Sequence, residues 1–386
     1  MVVASLCLIL VVLWTLLAYV AIPLPFEDPF FAWLRRQWLM EGIAGLTFLG
    51  VIGVVCSQWR RRTPLLPSVP WWNMWWVWMG WVAVSCVYSI DRGASLRSGL
   101  ALSSYGLLAY VVSSLVRSPR DLVVWVRFVA GVAVVVGLGG LFQYVKTFDA
   151  TLPLFERLQE SGQLDLQGWG GDVIKDFLIR KRITSVFGWP NLFAGFLLLT
   201  IPVAGALAFD ARTRRNRVGW GLGSILLGGC LVLTLSMGGW IAAILTASVA
   251  WWWWVRARRS PAAGSGKGGS AVVRAVCVGL ILCAVVSLTS YMVAKRARPL
   301  ILASVSSRTV YVQGAWRLIA QAPFAGTGVG TFGIAYHAVK PLEKTEGQHT
   351  AQHAHNTLLE IGAEQGAIGL ALFLWFLGQV WRLIGT

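Results

Sequence analysis

The stretch Val186-Phe-Gly-Trp-Pro-Asn-Leu-Phe-Ala-Gly-Phe-Leu-Leu-Leu-Thr-Ile-Pro-Val-Ala-Gly-Ala-Leu-Ala-Phe209 carries no charged side chain from end to end. A helix needs roughly 20 apolar residues to span the hydrocarbon core of a bilayer, whereas a barrel strand needs about 9–11. The run suits the helix and is too long for the strand. Outward from it, comparable runs occupy roughly 2–22, 40–57, 70–89, 95–115, 121–146, 218–236, 238–255, 271–293 and 356–381, about ten spans in all. Only 13% of the 386 residues are charged and 56% are hydrophobic, too little charge to keep a soluble domain dispersed. The expected fold is all-α, a polytopic transmembrane helix bundle.

Basic residues orient it. Trp59-Arg60-Arg61-Arg62, Arg117 with Arg120, Arg212-Thr213-Arg214-Arg215-Asn216-Arg217 and Arg256-Ala257-Arg258-Arg259 fall on one side of these spans. The positive-inside rule makes that side cytoplasmic and puts the N-terminus inside. Arg35 and Arg36 oppose the scheme but are outnumbered. The expected organisation is N-terminal helices over 1–146 and a first extracytoplasmic loop over 147–185. Central helices over 186–293, a second long loop over 294–355 and a last helix over 356–386 follow. The first apolar run lacks a basic n-region and is long enough to be a first span, not a cleaved signal.

The net charge of +17 is grouped beside spans, so membrane lipids are expected partners and nucleic acid is not. Tryptophans at 71–72, 75–76 and 251–254 read as an interfacial belt. The six cysteines form no Cys-x-x-Cys pair and read as small buried hydrophobes. Ser260–Ser270 is a flexible linker, and its Gly-Ser-Gly-Lys letters lack the strand and spacing of a phosphate loop. No internal repeat of the transporter kind is evident.

The polar chemistry gathers late in the chain. All four histidines (His337, His349, His353, His355) lie in the second loop or where the last helix begins. His349 and His353 have i, i+4 spacing, but no His-Glu-x-x-His glutamate accompanies them, so no metal is expected. At 100° per residue, Gly362, Gly366 and Gly369 project within about 40° of His355. That stripe permits close helix approach and predicts an inward-facing His355, placed to act as a general base near neutral pH. The bland alternative is a histidine that caps or anchors the helix. Arg180, Lys181 and Arg182 close the first loop, and Lys295, Arg296, Arg298 and Arg308 open the second. Cations opposite the positive-inside face suit a diphosphate, whose oxygens match the arginine fork, or else acidic lipid head groups.

These residues resemble those of the O-antigen ligase and polymerase superfamily. His355-Asn356, nine residues, Gly366, two residues and Gly369 match its H-[NSQ]-x9-G-x-x-[GTY] pattern. Arg182-Ile-Thr-Ser-Val-Phe-Gly-Trp-Pro-Asn191 is similar to its Arg…Gly-x-Pro-Asn segment at a helix start. Ser306-Ser307-Arg308, Trp316, Pro323 and Gly326-Thr-Gly-Val-Gly330 resemble its large periplasmic loop, so the likeness covers about 180–380. The resemblance implies a GT-C-like bundle and a metal-independent, inverting glycosyltransfer that needs no cofactor. Its donor is an undecaprenyl-diphosphate-linked glycan and its acceptor a saccharide or lipid A core. It implies His355 as the catalytic base, Arg182 and Arg308 as diphosphate ligands, and Asn191, Asn356 and the three glycines as motif positions.

Two features depart from the family. Ser236-Met237-Gly238 stands where it usually has Ser-Arg-Gly, and methionine has no charge to offer a phosphate. The chain also ends soon after the glycine stripe, whereas the family usually has about twelve spans, which predicts a shortened member or a fragment. Some superfamily members in photosynthetic bacteria are described as bicarbonate transporters. A transporter, or an inactive scaffold of a polysaccharide assembly complex, is therefore the competing expectation.

Overall fold

A computed structural model of the chain describes residues 49–60, 70–116, 118–161, 178–258, 297–340 and 353–385. Among these residues every regular element is helical, as composition requires. The described residues within 49–116 and 299–385 form one compact unit, and those within 118–298 form another.

In the first unit, residues 49–60 are helical and precede α1 (Pro70–Tyr88) and α2 (Arg92–Leu115). Later come α8 (Ala297–Gln321), α9 (Phe332–Val339) and α10 (Thr357–Gly385). Asp91 starts α2 by accepting the Ala94 N–H at 2.9 Å. Helix α1 packs on α2 and on α10. The tryptophans correct the belt reading. Trp72, Trp75 and Trp78 recur every third residue on one face of α1 and are buried, at 2%, 7% and 3% exposure. Trp75 and Trp78 meet Phe376 and Phe373 of α10, and Trp72 stacks on Tyr110 of α2. Gly106 makes room for this wall, since a Cβ there would stand 2.1 Å from Trp75 Nε1. Trp76, which meets Trp72 edge to face one turn on, is exposed. The side chains of Trp251–Trp254 lie outside the described residues.

The second unit contains α3 (Pro119–Phe142), which runs through a π-helical turn (Gln143–Thr147) into α4 (Phe148–Glu160). A short 3₁₀ turn (Ser185–Phe187) leads to α5 (Pro190–Asp210), α6 (Arg214–Leu233) and α7 (Met237–Arg258). A Ser118/Asp121 capping box opens α3, Pro190 occupies the first turn of α5, and Thr213 caps α6. Helix α5 packs against α3, α6 and α7. Its buried positions are often small (Ala194, Ala204, Gly205, Ala208), while Leu192 and Leu199 point outward. Small residues inside and large apolar ones outside are the arrangement of a lipid-facing helix.

Five helices among the described residues are long and apolar enough to cross a membrane: Arg92–Leu115, Pro119–Thr147, Pro190–Asp210, Arg214–Leu233 and Thr357–Arg382. The runs expected at 2–22 and 271–293, and the first half of 40–57, lie outside the described residues. The expected spans at 70–89 and 238–255 fold as α1 and α7. The stretch read as the first loop begins with α4, and the one read as the second loop holds α8 and α9. Of the cysteines described, Cys230 is buried and donates to the Gly137 carbonyl, whereas Cys56 is exposed, contrary to expectation.

Candidate functional site

His355 lies just ahead of α10 and is exposed, with φ at +53°. The expected glycine projection does not hold from here. Helix α10 starts at Thr357 and is interrupted at Gly366, whose φ of 67° and ψ of −169° are not helical. A regular 100° step therefore cannot carry His355 and Gly369 onto one face. What orients His355 is local. Ala354 before it is 2% exposed and packs in a cluster with Tyr311, Leu318, Phe332, Tyr336 and Ala363. Asn356 after it is the helix cap, its Oδ1 accepting the N–H groups of Leu358 (3.0 Å) and Leu359 (3.2 Å). The His355 ring stands 5.2 Å from the Tyr311 ring of α8 at an interplanar angle of 35°. Arg308 is on the same helix, one turn before Tyr311, with its side chain outside the described residues.

Two carboxylates missed in the sequence reading organise this region. Glu360 Oε1 pairs with His353 Nδ1 at 2.8 Å, and Oε2 accepts the Ala354 N–H at 3.2 Å. That hydrogen bond, outweighing partial burial, raises the His353 pKa above its ordinary value. Glu364 is 6% exposed within the last candidate span, and its two oxygens accept the N–H groups of Gly330 (2.8 Å) and Phe332 (2.9 Å) at the start of α9. A carboxylate at the N-terminal end of a helix complements the dipole and the orphan donors there. The signal was present in the sequence as Glu360 and Glu364, one i, i+4 pair in an otherwise uncharged run.

The break at Gly366 is closed by the glycine loop. The carbonyls of Ala363 and Glu364 accept the N–H groups of Thr327 (3.1 Å) and Gly328 (2.8 Å). Ala367 N–H donates to Pro323 O at 2.8 Å, and Trp81 Nε1 donates to Gln365 O at 3.0 Å. The Gln365 side chain, 1% exposed, accepts from Trp78 Nε1 at 2.8 Å. Backbone groups freed by a broken helix are thus re-satisfied inside the protein, the condition under which a membrane tolerates such a break. A Cβ on Gly362 would meet Ile319 of α8 at 3.2 Å. A Cβ on Gly369 would stand 3.0 Å from Trp81 Nε1.

In the second unit, Arg182, Asn191 and Met237 come to one turn. Arg182 donates Nε–H to the Thr234 carbonyl (3.2 Å) and an Nη2 hydrogen to the Leu235 carbonyl (3.4 Å). Asn191 Oδ1 accepts from Ser236 Oγ at 2.8 Å, and Ser236 Oγ accepts the Gly239 N–H at 3.2 Å. Arg182 is therefore bound to the Thr234–Leu235 turn just ahead of Met237, the position where the resemblance puts an arginine. Gln143, in the π-helical turn, holds the Arg182 segment by accepting the N–H groups of Thr184 and Ser185, each at 2.9 Å. Lys181, counted among the outer cations, pairs with Asp149 of α4. His337 is exposed on α9, and His349, Lys295 and Arg296 lie outside the described residues.

In a comparison with known families, residues 222–374 match the O-antigen ligase family. The matched stretch includes Met237, Arg308, the 326–330 loop, His355, Gly366 and Gly369, and begins after Arg182 and Asn191. It bears out the suspected resemblance and supports a membrane enzyme of the O-antigen ligase or polymerase type. No curated protein and no solved structure matches the chain.

Proposed function

We propose, from the match of residues 222–374 to the O-antigen ligase family, that this chain is a multi-pass inner-membrane glycosyltransferase. It transfers a saccharide from an undecaprenyl-diphosphate-linked donor to a sugar hydroxyl of a saccharide or lipid A core acceptor, at the extracytoplasmic face. The observation that carries the reading is that the matched stretch contains His355, exposed ahead of α10 and held between a buried Ala354 and a capping Asn356. In this reading His355 takes the acceptor hydroxyl proton as the oxygen bonds to the donor's anomeric carbon. The carbon–oxygen bond to the diphosphate breaks from the opposite face, which inverts the centre. The leaving diphosphate keeps the electron pair, and arginine forks take up its charge without a metal. Arg308 and Arg182 are the candidates for that role, each proposed independently.

Complementation of a deletion strain tests this. His355→Ala is expected to abolish polysaccharide joining while the protein accumulates in the membrane at its normal level. Full glycan joining by cells carrying only that variant would refute the catalytic role. Uptake of a labelled anion into proteoliposomes would favour the transporter instead. Against that alternative, Glu364, the buried carboxylate of the last candidate span, has both oxygens engaged by backbone N–H groups.

A further inference from the structure

We propose that Glu360 is a positioning residue for His355, holding the backbone ahead of it through His353 and Ala354; this rests on the role of His355 proposed above. His355 is a non-glycine residue in the left-handed region, with φ at +53°. Such a conformation persists only where the neighbours over-determine it. Both neighbours are anchored. On the far side, Asn356 caps α10, and its carbonyl accepts the Glu360 N–H at 2.9 Å. On the near side, the Glu360 carboxylate reaches back across His355 to accept the Ala354 N–H and to pair with His353 Nδ1. The Ala354 methyl is at the same time buried among Tyr311, Leu318 and Phe332. One side chain therefore grips the loop on the side of His355 that the cap does not reach. Removing it leaves the near side of the left-handed turn held by the buried Ala354 methyl without its polar anchor, and the imidazole loses its fixed place beside Tyr311.

A simpler role competes. A carboxylate in the first turn of a helix stabilises it through the dipole alone, with no consequence for His355. Shape and charge separate the two. Gln keeps an oxygen for the Ala354 N–H and an amide hydrogen for His353 Nδ1, but carries no charge. Asp keeps the charge and is too short to reach.

The experiment measures glycan transfer in membranes of the deletion host, which supplies its own lipid-linked donor. It is paired with diethylpyrocarbonate labelling read by mass spectrometry at His355, with exposed His337 as the internal control. Glu360→Ala and Glu360→Asp are expected to slow transfer by about tenfold or more, in the range that a small misplacement of a catalytic group produces. Both should change the labelling rate at His355 several-fold and leave His337 unchanged. Glu360→Gln should recover most of the transfer rate and the labelling rate. Rescue by Asp but not Gln would overturn the proposal in favour of the dipole. So would Glu360→Ala transferring and labelling as wild type while His355→Ala is inactive, which leaves the glycosyltransfer reading intact. An active His355→Ala would overturn that reading and this proposal with it.

Discussion

His353 holds a proton more tightly than an ordinary histidine, and that follows from one contact with Glu360. Because its folded pKa is raised, the pair's contribution is complete below the unfolded value, near 6.5, and is lost as pH rises through the folded one. The loop ahead of His355 is therefore expected to be tightest in mild acid. Carbon-13 histidine NMR should show the His353 midpoint above the ordinary value in the wild type, falling back toward it in Glu360→Gln. An unchanged midpoint in that variant would exclude Glu360 as the cause. At this scale the sequence pointed to His355 and Asn356 as motif residues but misjudged how His355 is set. The reason is physical: a helical projection assumes helical dihedrals at every step, and both His355 and Gly366 depart from them. Arg182 was legible as a cation, yet its attachment to the Thr234–Leu235 turn depends on residues more than fifty positions away.

Among the elements, α10 is the one on which the first unit depends, since its break receives the glycine loop. A Cβ at Gly366 would lie 2.2 Å from the carbonyl carbon and oxygen of Phe324, with φ at +67° besides. Strain at such a φ costs about 1–3 kcal/mol, and overpacking about 1–3 kcal/mol more. Gly366→Ala is expected to lower the melting temperature in detergent sharply and to reduce the amount of folded protein in the membrane. A variant with an unchanged melting temperature would show that the loop does not dock at this break. The Gly362, Gly366, Gly369 spacing was visible as a pattern, but its meaning was not. A stripe of glycines and a glycine-only dihedral look alike in sequence. The tryptophans of α1 illustrate the same limit, because indoles suit an interface and a packed wall equally well until a partner such as Phe373 or Phe376 arrives.

For the molecule as a whole, the helical membrane class and the family rest on different properties. Orientation is the test that belongs at this scale. A phosphatase fused after Glu160 is expected to be active and one fused within Arg212–Arg217 inactive, with fluorescent-protein fusions giving the reverse. Cytoplasmic signals at both sites would refute the inside placement of the N-terminus and the outer placement of the chemistry. What the sequence determined by itself was the helical, membrane-spanning class, the positions of long apolar runs such as 186–209, and the motif order that leads to His355. Those follow from transfer free energies and run lengths, which sum along the chain and need no partner. The tertiary structure alone decided that Glu360 and Glu364 hold the loops around α10, that Gly366 breaks the helix, and that Arg182 attaches to the turn before Met237. Glu364 and Arg182 satisfy backbone groups 34 and 52 residues away, whereas Glu360 reaches back only six residues but across a break in the helical pattern.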